Sequence, residues 1–178
     1  MPSILTLLET AEPPHMTMKP RAGTLSVAQI EQQLPALIPG DMPRQSRELA
    51  KAAILLWHDH FDASHEIAQD IENADGSLLH GILHRREPDL MNARYWFRRL
   101  GNAHPSFECV MAKIKIALLT ARVDLVARQI APNDKWHPLV FVDFLESCQK
   151  HNDPAYDQLL RQIQSAEIQC FVQTLPSR

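Results

Sequence analysis

Between Arg44 and Asn73 apolar side chains return every three to four residues. Leu49, Ala53, Leu56, Ala63, Ile67 and Ile71 share one face with His60, and neither proline nor glycine interrupts the run. This period predicts one long amphipathic helix over about residues 44–73. Asp75-Gly76-Ser77 reads as a turn that caps a second helix, from about Leu78 to Arg86, which Pro88 stops. Asp89 caps a third, from about Leu90 to Leu100, ended by Gly101. The stretch from Phe107 to Ile130, rich in Ala, Leu, Ile and Val, predicts a long central helix that stops before Pro132. Two more helices are expected from His137 to Gln149 and from Pro154 to Leu175, the last with Leu159, Ile163, Ala166 and Cys170 along one side.

The first 43 residues read differently. They hold seven of the 13 prolines, a density that prevents a long helix. A short one is expected from Ser26 to Leu34, where Ser26 can cap and Val27, Ile30 and Leu34 share a face. The expected organisation is a Pro-rich N-terminal arm over residues 1–43 and a helical domain over residues 44–178. With no strand pairs, hairpin signals or internal repeats, the fold class is all-α, a single-domain helical bundle. An arm of this length can wrap the domain or a second subunit, so a homodimer enters the expected partners.

Composition narrows the function classes. Hydrophobic residues make up 45% of the 178 and charged residues 22%, which places the chain among globular proteins. A net charge of −3 supplies no basic field, so no nucleic-acid partner is expected. The apolar run Ile4 to Leu8 is cut short by Glu9 and has no basic flank, so it does not read as a signal peptide. No stretch approaches the roughly 18–20 apolar residues of a membrane span, so no membrane partner is expected. Cys109, Cys148 and Cys170 are odd in number and widely spaced, which suggests neither a disulfide framework nor a cysteine zinc site, and a cytoplasmic location is expected.

The candidate chemistry lies between Trp57 and His104. Five of the nine histidines (His58, His60, His65, His80 and His84) fall within 27 positions. On this long helix His58, Asp62, His65 and Gln69 fall on one stripe, opposite the apolar face that holds His60. The next helix adds His80 and His84 at i, i+4. Neutral imidazoles and a carboxylate suit a divalent metal such as zinc, iron or manganese, and bundles supply such ligands from facing stripes. His58, Asp62, His65, His80 and His84 are therefore the candidate ligands. Gly81 stands where the HExxH pattern needs its glutamate, so the zincin reading fails. A solvated polar face is the competing account of the stripe, and His60 reads as a histidine hydrogen-bonded within the core.

Charge divides the same region. Residues 44–75 carry three basic and seven acidic side chains, whereas residues 78–104 carry five arginines, no lysine and two acids. Arginine without lysine points to bidentate recognition of a carboxylate or phosphate, either on a ligand or among the acids of the preceding helix. Arg85, Arg86 and Arg99 are the candidate ligand-holding residues, beside the histidines or the Tyr95-Trp96-Phe97 cluster. Arg94 and Arg98 fit an ion-pair network between helices.

The stretches Trp57-His58-Asp59-His60, Asp75-Gly76-Ser77, His80 to Asp89 and Asn92 to Arg99 resemble an uncharacterised family of all-helical proteins from bacteria and fungi, over about residue 44 to the C-terminus. That resemblance implies a site in these segments and carries no activity. Ile54 to Asp59 is also similar to the apolar lead-in and His-Asp doublet of the HD phosphohydrolases, all-helical enzymes whose doublet binds a divalent metal. The chain departs from that pattern in having only His15 upstream, within the Pro-rich segment, and in the residues after Asp59.

Together these features lead to the expectation of a metal-dependent or His/Asp acid-base enzyme acting on a small anionic molecule. Asp59 and Glu87 are its candidate catalytic carboxylates, each placed to orient a histidine. The alternative is a non-catalytic helical module that binds an anion or a protein.

Overall fold

The computed structural model describes residues 3–121, 129–151 and 156–175. Among them are eight α-helices and no strand, so the domain is all-α. In chain order these are α1 (Val27–Leu37), α2 (Arg44–Trp57), α3 (Phe61–Ala68), α4 (Ala74–Arg86), α5 (Leu90–Leu100), α6 (Ser106–Ala121), α7 (Pro138–His151) and α8 (Asp157–Thr174). Short 3-10 turns cover Ile4–Leu8 and Pro132–Asp134. The second half of the helix expected up to Ile130 includes residues 122–128, which lie outside the described residues.

The expected helix over residues 44–73 is two helices. Asp59 adopts a left-handed φ of 66°. The His60 amide then donates back to the Leu55 carbonyl at 2.9 Å and the Asp59 amide to Leu56 at 3.2 Å, the paired bonds of a left-handed C-terminal cap. Glycine usually fills that position because it has no Cβ to clash. Here the aspartate side chain compensates for the backbone: its carboxylate takes Arg21 Nε at 2.9 Å and Arg86 Nη2 at 2.6 Å. The stripe of His58, Asp62 and His65 is broken by this turn.

Other boundaries move for local reasons. The turn expected at Asp75-Gly76-Ser77 lies inside the first turns of α4, whose cap is Asn73, its side chain accepting from the Gly76 amide at 2.8 Å. A Cβ on Gly76 would sit 1.9 Å from the Ile71 carbonyl oxygen, so the α3–α4 connection can close only over glycine. Helix α1 runs through Pro35 to Leu37, past the expected end at Leu34, and begins with a reciprocal capping box between Ser26 and Gln29. Asp89 and Gly101 bound α5 as expected.

The most enclosed helix is α4: every residue from Asp75 to Arg86 is buried, polar ones included. Helix α6, expected at the centre, buries Phe107, Val110, Met111 and Ile114 but exposes Glu108, Ala112 and Lys115. Gly81 lets α5 approach α4, because a Cβ there would lie 2.3 Å from Phe97 Cε1. Ile4, Leu7, Leu8 and Met16 join the same core cluster as the helices from α2 to α8, so the N-terminal segment is packed into the domain. Cys109 and Cys170 form a disulfide between α6 and α8, contrary to the expectation from cysteine spacing, while Cys148 is buried and takes no part in that bond. Two positions 61 residues apart give no sign in the sequence that the helices carrying them are neighbours. No described helix is long and apolar enough to cross a membrane.

Candidate metal centre

Helices α3 and α4 bring three histidines together. His80 and His84 stand one turn apart on α4, their rings 5.8 Å apart, and His65 of α3 presents its ring edge to both, at 5.2 and 5.4 Å between centroids. One nitrogen from each ring can be chosen so that all three lie within 4.8 Å of one another. His80 and His84 are buried and His65 is half-buried.

The surroundings orient two of the rings. His80 Nδ1 lies 3.2 Å from the Gly76 carbonyl of the preceding turn, which accepts a proton from Nδ1 and leaves Nε2 with its lone pair. His84 Nδ1 lies 2.7 Å from Glu87 Oε2, so Nδ1–H donates to the carboxylate and Nε2 is left as an acceptor. That acceptor takes a hydrogen from the Asn92 side-chain amide at 3.2 Å. His80 also stacks on Trp96 of α5, 4.1 Å between ring centroids and 11° from parallel. Burial, reinforced by the neighbouring His65, pushes His80 down to about 4, so it is neutral at physiological pH.

Of the residues singled out in the sequence, His65, His80 and His84 converge, and Glu87 adjoins them through His84. His58 and Asp62 do not. His58 accepts the Leu25 amide on Nδ1 at 3.1 Å and donates from Nε2 to the Leu7 carbonyl at 2.7 Å, which ties α2 to the N-terminal segment. Burial lowers its pKa, with the Arg21 charge acting in the same sense. Asp62 is exposed in the first turn of α3. His60 is half-buried and bonds the Leu25 carbonyl at 2.7 Å.

Asp59 is occupied by Arg21 and Arg86 and is not within the histidine group. Burial works to raise its pKa, but the hydrogen bonds from the two guanidinium groups outweigh it and hold the carboxyl below its ordinary value. Arg86 also donates to the Leu56 and His15 carbonyls. Burial lowers it to about 10, leaving it charged at neutral pH. Arg85 forms a bidentate pair with Glu167 of α8, at 3.2 and 2.5 Å, and both side chains are almost wholly enclosed. Burial raises the Glu167 pKa against the pull of Arg85. These two arginines therefore spend their charges on helix packing. Arg99 differs: its side chain is 38% exposed and its guanidinium lies over Trp96, 5.4 Å from the ring centroid.

Two residues at the centre escaped the sequence reading. Trp96 enters the sequence pattern only as part of the Tyr95-Trp96-Phe97 cluster, and Asn92 carries no signal beyond its place in the Asn92 to Arg99 stretch. Asn92 reaches His84 because α5 doubles back along α4 over Gly81. No protein-family model, curated protein or solved structure matches the chain.

Proposed function

We propose that His65, His80 and His84 bind a divalent transition metal and that the protein is a metal-dependent enzyme acting on a small anionic molecule. The observation that carries this reading is the convergence of three ligand nitrogens within 4.8 Å. Structural zinc sites close with four protein ligands, whereas catalytic ones keep three and leave a position open. The acceptors behind His80 and His84 belong to the same logic, since an outer hydrogen bond sets the tautomer and raises ligand basicity. Zinc, iron and manganese all accept imidazole nitrogen. Such an ion would polarise a substrate oxygen or lower the pKa of a water molecule. The chain's own part is to hold the His80 imidazole neutral, orient His80 and His84 through Gly76 and Glu87, and enclose one side with Trp96.

A second reading, a non-catalytic anion-binding or interaction module, draws on where the grooves lie. One of about 810 Å³ runs beside Val27, Lys51, Leu55 and Ile67, and another of about 520 Å³ beside Phe107, Met111 and Trp136, both away from the triad. The Cys109–Cys170 bond favours an oxidising compartment over the expected cytoplasm, because disulfides are rare in reducing ones.

Metal analysis decides the first point. Untagged protein stripped with chelator and dialysed against zinc or cobalt should retain one ion per chain, and H80A and H84A should lose it while keeping their helical circular dichroism. Wild-type protein that retains no ion, or variants that retain it fully, would remove the metal reading. Metal-dependent turnover of phosphate or carboxylate esters, absent in H84A, separates the enzyme from the binding module.

A further inference from the structure

We infer that Arg99 forms an anion subsite at the edge of the histidine triad and takes the carboxylate or phosphate group of the small molecule that the centre acts on. This rests on the metal reading above and adds the residue that selects the substrate's charged end.

The arginines of this region have different commitments. Arg85 and Arg86 are fully buried on Glu167 and Asp59, and Arg94 is held by Asp143 at 2.8 Å and Glu146 at 2.7 Å. Among the described residues Arg99 has an ion pair only with Glu72, at 3.7 Å, and the Glu72 side chain is 79% exposed. That separation is longer than a hydrogen bond, and exposed pairs of this kind contribute little. An incoming oxyanion offers two parallel hydrogen bonds in its place.

Position supports the same assignment. Trp96 stacks on His80 at 4.1 Å and carries the Arg99 guanidinium at 5.4 Å, so one indole joins the candidate ligand to the cation. Stacking on an aromatic ring restrains the guanidinium while leaving its N–H edge free to bind. A small molecule held by its anionic group on Arg99 would therefore lie beside the indole that flanks His80.

The test uses the cobalt-loaded full-length chain and reads anion binding from tryptophan fluorescence, since Trp96 lies against the Arg99 guanidinium. Acetate and inorganic phosphate are titrated separately at constant ionic strength. The wild type should give a saturable spectral change with at least one of them, and the preferred anion identifies a carboxylate or a phosphate substrate. R99A should bind that anion about tenfold more weakly or worse, in line with the loss of a charge-assisted hydrogen-bond pair. R99K should fall between. E72Q, at an exposed position, should bind it more tightly by a few fold, because it removes the competing carboxylate. All variants should keep stoichiometric cobalt. A wild type that holds cobalt but responds to neither anion overturns the subsite and leaves the metal reading intact. Cobalt-loaded R99A and E72Q proteins that match the wild-type affinity do the same. A wild type that takes up no cobalt overturns both. If R99A fails to fold, R99K and E72Q decide alone, and unchanged affinity in both counts against the subsite.

Discussion

His84 donates its Nδ1–H to the Glu87 carboxylate 2.7 Å away, just past the last turn of α4, and so leaves Nε2 as the acceptor, 3.2 Å from the Asn92 side-chain amide. The contact is between residues three apart in sequence, which share one helix face, with Glu87 at the C-cap of α4.

Replacing that carboxylate should weaken metal binding without unfolding the protein. E87Q is expected to lower zinc affinity about 10- to 100-fold, the usual effect of losing an outer-shell partner. Competition with a chromophoric chelator measures this, and an unchanged affinity would show that Glu87 does not support the centre.

Gly81 is expected to be a packing requirement. G81A drives a methyl group into the Phe97 ring, with 2.3 Å available, and should cost about 1–3 kcal/mol as α4 and α5 separate. Denaturant unfolding gives the value. The double variant G81A/F97L should recover part of it, because leucine vacates the space the ring occupied.

Asp59 should be more valuable than the glycine that its backbone angle favours. D59G removes the left-handed strain but leaves Arg21 and Arg86 with buried charge, for an expected net loss of about 3–5 kcal/mol. Equilibrium unfolding that shows D59G to be as stable as wild type would refute this. R21A should in addition expose the first twenty or so residues to limited proteolysis.

Stability of the metal-free protein should fall on mild acidification. His80 is lowered from 6.5 to about 4, so between those values the unfolded chain binds a proton that the folded chain refuses. The contribution is complete above pH 6.5, declines below it, and is lost by about pH 4. At pH 5 the loss from this group is about 2 kcal/mol. His58, also lowered, acts in the same direction. Comparing wild type with H80Q at pH 7.5 and pH 5 isolates the effect: the glutamine variant should show a slope shallower by that amount, and equal slopes would contradict it.

What the sequence by itself determined was local. Helical period, the caps at Asp89 and Gly101, the all-α class and the i, i+4 pair of His80 and His84 each depend on residues within one or two turns of each other. That range also explains the failure at Asp59, where the apolar period of residues 44–73 runs on without proline or glycine. The break there is held by Arg21 and Arg86, 38 and 27 residues distant, so nothing nearby announces it. Tertiary structure then decided which histidines meet: the turn directs His58 to Leu7 and Leu25 and leaves His65 against α4. It also decided the fate of the arginines. Arg85, adjacent to His84 in sequence, belongs to a glutamate 82 residues away, whereas Arg99 stays open because its nearest acid, Glu72, is solvated and loosely held. Charge pattern is written along the chain, but the partner that neutralises a charge is chosen by packing.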